Sequence, residues 1–114
     1  MGKRKVVEYL KEDSSIFGIW FLGLDARAAA KVTTALYRIE QGNFSNVKPV
    51  GEGVSEYKID FGTGLRIYFG QDGDELVILL GGGSKKRQDR DIKEAQMLWA
   101  QYKKEKKQKR SGGR

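Results

Sequence analysis

The stretch VSEYKIDFGTGLRIYF, residues 54–69, decides the fold that the sequence predicts. Apolar and polar residues alternate on both sides of its GTG tripeptide, as expected for two β-strands with one buried face. Residues 62–64 fit a three-residue hairpin loop, which would place Phe61 opposite Leu65. A two-residue loop would pair apolar residues with polar ones, so the odd loop length is preferred. The predicted polar face of this hairpin carries Lys58, Asp60, Arg66 and Tyr68.

This polar face has two interpretations. It can be an ordinary solvated surface with an Asp60–Arg66 cross-strand ion pair, which would contribute little to stability. It can instead be one wall of a cationic binding cleft. A second group of cations follows in LLGGGSKKRQDRDI, residues 79–92, where four of the seven residues after three glycines are basic. These four residues are Lys85, Lys86, Arg87 and Arg90.

The flanking segments predict helices that pack on this sheet. KVVEYL, residues 5–10, has the β-branched and aromatic composition of a short strand. Two apolar stripes with helical spacing follow and suggest a helical hairpin. LVILL, residues 76–80, predicts a strand that is buried on both faces and ends at the glycines 81–83. The stripes are Phe17, Trp20, Phe21 and Leu24 in the first helix, Ala29, Val32, Leu36 and Ile39 in the second, and Ile92, Ala95, Trp99 and Tyr102 in a C-terminal third helix.

The predicted element order is β-α-α-β-β-β-α, an α+β fold with a mostly antiparallel sheet, an N-terminal helical hairpin and a C-terminal helix. The length of 114 residues suits one domain. The net charge of +7 is concentrated in residues 103–114, which contain seven basic residues and one acidic residue, whereas residues 1–102 contain 15 basic and 14 acidic residues. We therefore expect a single domain over residues 1–102, followed by a basic, disordered tail over residues 103–114.

The composition narrows the chemistry that the chain can perform. Without cysteine it has neither a disulfide framework nor a thiolate metal site, and without histidine it lacks the usual general base and metal ligand. No N-terminal segment has the apolar length of a signal peptide or a membrane span. We expect a cytoplasmic protein with no cofactor, no metal and no membrane partner. Its acid–base chemistry would depend on Lys, Tyr, Asp or Glu.

Residues 42–92 resemble the phage-derived, HigB-like killer-protein branch of the RelE/ParE/HigB toxin superfamily. The resemblance is carried by GNF (42–44), VKPVG (47–51), the GxGLRIYF hairpin (62–69) and the GGGxK–QDRDI junction (81–92), and it extends weakly through the preceding helices. It implies a RelE-like fold and the toxin half of a type II toxin–antitoxin system, typically an endoribonuclease that cuts mRNA on the ribosome and inhibits translation. The implied partners are mRNA, the ribosome and a cognate antitoxin, usually a HigA-like helix-turn-helix protein.

The resemblance also implies roles for individual residues. In such enzymes the ribose 2′-hydroxyl attacks the adjacent phosphorus without a metal, so protein groups must stabilise the phosphate and move protons. Arg66 would hold the phosphate as a bidentate fork. Because adjacent cations disfavour each other's charge, Lys85 or Lys86 is a candidate base or acid, and Tyr68 is a further candidate acid. The predicted RNA-binding residues are Lys48, Lys58, Arg87 and Arg90.

The chain departs from the nuclease pattern at two points. The position nearest to the tyrosine that RelE-type nucleases carry early in the last helix is Ile92, and the histidine of HigB-type enzymes is absent. Gyrase-poisoning ParE toxins share the fold without cleaving RNA, so the fold alone does not determine the activity. The alternative function is therefore a non-enzymatic toxin that binds and inhibits a protein target such as gyrase.

Overall fold

The structure is a computed structural model that describes residues 3–112, with side chains up to residue 109. Its strands are β1 (Lys5–Glu8), β2 (Leu10–Lys11), β3 (Ser14–Ser15), β4 (Val47–Pro49), β5 (Val54–Ile59), β6 (Leu65–Asp72) and β7 (Leu76–Ser84). Its helices are α1 (Ile16–Leu22), α2 (Ala26–Glu40) and α3 (Gln88–Gly112), and a 3-10 turn at Lys85–Arg87 connects β7 to α3.

The main sheet has five strands in the order β1-β7-β6-β5-β4. β1 pairs with β7 in parallel, whereas the other three pairs are antiparallel, so the sheet is mixed. The hairpin predicted from residues 54–69 lies at its centre as β5 and β6. The chain passes from the end of β7 through the 3-10 turn into α3, which places the predicted cation cluster at the end of this interior strand.

The predicted RelE-like order β-α-α-β-β-β-α is wrong, because the described chain has the order β-β-β-α-α-β-β-β-β-α. β2 and β3 form a separate ladder whose turn residues Glu12 and Asp13 have positive φ angles of 50° and 67°. Strands of two or three residues, including β4 with its Pro49, are too short to show a period of two. The predicted N-terminal helical hairpin is also wrong, because α1 packs chiefly on β7, where the Trp20 ring lies against Gly82.

The main sheet is covered on both faces, so the protein has two apolar cores. α1 and α2 cover one face, and α3 covers the other. β7 contributes Val77 and Leu79 to the first core and Ile78 and Leu80 to the second. This arrangement confirms the prediction that residues 76–80 form a strand buried on both sides.

The glycines 81–83 extend β7 rather than end it, which corrects the predicted boundary of this strand. A Cβ atom at Gly82 would overlap the ring of Trp20, and one at Gly83 would overlap the carboxylate of Asp91. The missing side chains therefore allow α1 and the start of α3 to approach the sheet closely on opposite faces.

The register of the central hairpin differs from the predicted one. Ile59 lies opposite Leu65 and Lys58 lies opposite Arg66, so the loop has five residues, 60–64, instead of three. A hydrogen bond of 2.9 Å from the backbone N–H of Gly64 to the carbonyl of Phe61 closes this loop. Loops of three and five residues place the same residues on each face, so the alternation in the sequence could not distinguish them.

α3 buries the predicted apolar stripe on the second face of the sheet. Ala95 and Trp99 are buried, Ile92 and Tyr102 are half-buried, and the Trp99 ring packs onto Gly70. The helix continues across residue 102 to Gly112, so the described part of the predicted tail is helical. The predicted domain boundary at residue 102 and the disorder beyond it stay predictions, and residues 113–114 lie outside the described residues. No helix in residues 3–112 is long and apolar enough to cross a membrane.

Candidate functional site

The polar face of the hairpin lies under the start of α3 and centres on Glu56. The Glu56 side chain is 1% exposed. One of its carboxylate oxygens accepts a 2.8 Å hydrogen bond from Nε2 of Gln88 and lies 3.5 Å from Nε of Arg66. The other oxygen lies 3.9 Å from Nζ of Lys48. We call Lys48, Glu56, Arg66, Tyr68 and Gln88 the Glu56 cluster.

Arg66 is buried, in contrast to a residue on a solvated sheet face. It is 5% exposed, and Glu56 replaces the predicted Asp60 as its ion-pair partner because the register is shifted. Among the described residues its Nε and Nη1 atoms have no hydrogen-bond partner. Nη1 points to the hairpin loop, 3.0 Å from the position of a Cβ atom at Gly64, and the Lys85 side chain lies on the same side of Gly64. Nε still faces the Glu56 carboxylate, so Nη1 is the donor without a partner in the described part of the chain, and a buried guanidinium donor binds an anion strongly.

Tyr68 is the member of the cluster that lies opposite Glu56 in the β5–β6 ladder. Its hydroxyl is buried and interacts with the Glu56 carboxylate, although it makes no hydrogen bond of standard geometry with a described residue. Burial raises the pKa of this phenol above its usual value, and the negative charge of Glu56 raises it further. The hydroxyl is therefore protonated at neutral pH, and it is shielded from solvent.

The cations of the strand–helix junction are exposed beside the Glu56 cluster. Lys85, Lys86, Arg87 and Arg90 line a surface pocket of about 430 Å³. None of the four forms an ion pair with another described residue. We call these residues the junction cations. Gln88 lies between them in sequence and binds Glu56, which connects the exposed cations to the buried pair.

A second pocket lies on the β4 side of Glu56. It has a volume of about 540 Å³, and the exposed side chains of Lys48 and Lys58 contribute to its lining together with Glu56 and Asp60. The predicted site residues thus form three neighbouring groups: Arg66 and Tyr68 are buried, Lys48 and Lys58 line this pocket, and the junction cations line the other.

Three residues that shape the site were not singled out from the sequence: Glu56, Gln88 and Asp91. Glu56 shares the alternating polar face with Lys58, so its side of the sheet was predictable but its role as the partner of Arg66 was not. Asp91 follows the junction cations and packs against Gly83. Burial raises the pKa of its carboxyl, while the charges of Arg87 and Arg90 act in the opposite direction. Within residues 3–112 no three metal-ligating side chains come together.

The fold and the site define a small α+β protein with a cationic surface next to a buried arginine–glutamate pair. No family model matches the chain. A curated protein of Haemophilus influenzae (strain ATCC 51907 / DSM 11121 / KW20 / Rd), described as an uncharacterized protein, is 43% identical over 83 residues, covering 72% of this chain and 84% of that protein. The chain therefore belongs to the same protein family as this Haemophilus influenzae protein. The description of the relative names no activity, so the resemblance to toxins stays a prediction.

Proposed function

We propose that the protein is the toxin component of a type II toxin–antitoxin system and acts in the cytoplasm as a ribosome-dependent mRNA endonuclease. The observation that carries this proposal is the convergence of three sequence segments that resemble the toxin family. VKPVG supplies Lys48, the hairpin supplies Arg66, and the junction supplies Lys85 and Gln88. These residues are distant in sequence, yet they meet around the buried Glu56–Arg66 pair.

Arg66 is the group proposed to hold the scissile phosphate. Within residues 3–112 its Nη1 donor is buried without a hydrogen-bond partner beside the loop at Gly64, so binding of a phosphate oxygen requires this loop to move. Lys85 lies next to the same loop, and the junction cations would stabilise the negative charge that develops when the 2′-hydroxyl attacks phosphorus. Arg87 and Arg90, with Lys48 and Lys58 on the other pocket, would bind the flanking phosphates.

The proton transfers are assigned to Lys85 and Lys86 because both are exposed and belong to the junction cations. A 2′-hydroxyl must lose a proton, and the departing 5′-oxygen must gain one. Tyr68 is protonated at neutral pH, but its buried hydroxyl makes it better suited to positioning Glu56 and Arg66 than to donating a proton. The proposed reaction uses no metal and no other cofactor.

A specific observation favours the second candidate, a non-enzymatic toxin that inhibits a protein such as gyrase. Arg66 is paired with Glu56, Tyr68 is shielded from solvent, and Ile92 stands where RelE-type nucleases have a tyrosine. A protein-binding toxin requires none of these side chains to reach RNA. The two candidates differ in which macromolecular synthesis stops first.

Pulse labelling after induced expression of the protein alone distinguishes the two. We expect incorporation of labelled amino acids to fall before incorporation of labelled thymidine, and we expect co-expression of a helix-turn-helix antitoxin to restore both. A Lys85→Gln/Lys86→Gln variant serves as the control for non-specific toxicity, since it removes two exposed charges from the proposed site. Arrest of DNA synthesis while protein synthesis continues would reject the nuclease proposal and support the gyrase-type alternative.

A further inference from the structure

The outward face of α3 carries a stripe that the Glu56 cluster does not use. Residues at alternating spacings of three and four lie along one side of the helix and are all exposed. We call them the outer stripe: Arg90, Lys93, Met97, Ala100, Lys104 and Lys107. Four of the six are cations, and the stripe contains no acidic residue.

The charge of this stripe is not neutralised within the protein. None of its cations forms an ion pair with another described residue. Two of the acids of α3 are turned toward the domain, since Asp91 packs against Gly83 and Glu105 accepts a 3.0 Å hydrogen bond from the hydroxyl of Tyr9. The other two acids of the helix, Asp89 and Glu94, are exposed near its N-terminal end, so the outward face of α3 carries an excess of positive charge that increases toward Lys107.

The dimensions of the stripe suit an extended polyanion. Arg90 and Lys107 are 17 residues apart, which corresponds to about 25 Å along a helix. This distance exceeds the reach of a single phosphate group and spans several nucleotides. Arg90 is also one of the junction cations, so the stripe begins at the proposed site and leads away from it along α3.

An anionic membrane surface is a poorer match for this face than a nucleic acid. A helix that lies in a membrane interface needs a broad apolar face. The apolar side of α3 is already packed on the sheet through Ala95, Leu98 and Trp99. In the described part of α3, Met97 is the one large hydrophobic residue that is exposed.

We propose that the outer stripe is an extended binding surface for the phosphate backbone of single-stranded RNA that runs from the junction cations to Lys107. The proposal rests on the proposed function only in that the RNA reaches the site along α3. It assigns a binding role to Lys93, Lys104 and Lys107, whose contacts with phosphate are independent of base sequence.

The salt dependence of RNA binding tests the proposal. The probe is a fluorescein-labelled 2′-O-methyl RNA of about 16 nucleotides, which lacks the 2′-hydroxyl needed for cleavage and exceeds the proposed span. Fluorescence anisotropy gives the affinity at several salt concentrations for the wild type and for Lys104→Gln/Lys107→Gln. Each lost contact to a single strand reduces the slope of log affinity against log salt by about 0.7, so we expect the double variant to lose about 1.4.

Two controls make the result specific. Lys5→Gln/Lys11→Gln removes the same charge from exposed positions of β1 and β2, and we expect it to keep the wild-type slope. Lys104→Arg/Lys107→Arg keeps the charge and should also keep the slope. Glutamine and arginine are good helix formers, so circular dichroism should show an unchanged helix.

The outcomes separate this inference from the proposed function. A wild-type slope in Lys104→Gln/Lys107→Gln, an equal loss in the β1–β2 control, or a loss of binding to anionic vesicles but not to RNA would each overturn the inference. If the wild type inhibits translation while the variant keeps the wild-type slope, the inference fails and the proposed function stands. If the slope falls as expected but the wild type cleaves no RNA, the stripe binds RNA and the proposed reaction fails.

Discussion

Replacing Arg66 separates its proposed contact with phosphate from its structural contact with Glu56. Arg66→Ala removes the Nη1 donor that faces the hairpin loop. Loss of one preorganised donor to a transition-state anion costs about 2–4 kcal/mol, which is roughly a 30- to 1,000-fold loss of cleavage rate. Arg66→Lys should recover little of this loss, because a single ammonium cannot reproduce the planar fork of a guanidinium.

The same substitution should also lower the free energy of unfolding, and the burial of the Arg66–Glu56 pair determines the size of this loss. Arg66 is 5% exposed and Glu56 is 1% exposed, so this is a buried pair and not a surface one. Removing the cation leaves the buried carboxylate with the hydrogen bond from Gln88 and with Lys48 at 3.9 Å. We expect a loss of about 3 kcal/mol in the free energy of unfolding. The double variant Glu56→Gln/Arg66→Gln removes both charges and should recover most of this loss.

Activity and stability together decide the role of Arg66. Cleavage is measured on mRNA in a translation reaction, and unfolding is measured by urea titration of the same preparations. In the proposed mechanism the double variant regains stability and stays inactive. A double variant that regains both would show that Arg66 acts only through folding. A fully active, normally folded Arg66→Ala would remove Arg66 from the site.

Three further predictions concern other parts of the fold. Lys85→Gln/Lys86→Gln should reduce RNA affinity and cleavage while changing the free energy of unfolding by less than about 0.5 kcal/mol, because both side chains are exposed; an unchanged cleavage rate would remove them from the site. Gly82→Ala should reduce the free energy of unfolding by about 1–3 kcal/mol and so lower the melting temperature, because the new Cβ would overlap the Trp20 ring. A wild-type melting temperature would contradict this packing. Burial and a hydrogen bond from its hydroxyl to Asp72 raise the pKa of Tyr102 from 10.0 to about 12. The stabilising contribution of this hydroxyl is therefore complete below pH 10 and is lost as the pH rises toward 12. Urea unfolding of Tyr102→Phe across this range should show a weaker dependence on pH than the wild type, and an unchanged dependence would contradict this assignment.

The sequence predicted the elements whose burial follows a clear period. Apolar and polar residues alternate over the whole length of the central hairpin, and the sequence correctly predicted which side chains of its two strands lie on the same face of the sheet. The stripe at Ile92, Ala95 and Trp99 identified the buried side of α3 in the same way. These predictions succeeded because one side of each element is buried along several turns or several strand residues.

The order of elements failed where segments are short. β2 and β3 have two residues each, and their pairing depends on a turn in which Glu12 and Asp13 adopt positive φ angles. β7 continued through the glycines 81–83 because Trp20 and Asp91 pack onto them, which is a tertiary contact between distant residues. Neither feature has a local signal in the sequence.

The composition of the site was predictable in part, but its burial was not. The alternation in residues 54–69 placed Arg66 and Tyr68 on one polar face, which looked like a solvated surface. The start of α3 covers that face, and the two-residue shift in register brings Lys58 rather than Asp60 opposite Arg66. Glu56 thereby becomes the ion-pair partner. A pattern of alternating residues specifies the face of a side chain and not the element that will cover it.

Mapping RNA ends in a purified translation reaction tests the central claim most directly. Ribosomes, a defined mRNA and the protein are incubated, and the downstream fragments are labelled with a polynucleotide kinase without prior phosphatase treatment. Attack by a 2′-hydroxyl leaves a 5′-hydroxyl on the downstream fragment, so we predict discrete, directly labelled ends that require ribosomes and are absent with Arg66→Ala. Intact mRNA in the presence of folded, growth-arresting protein would contradict the proposed endonuclease.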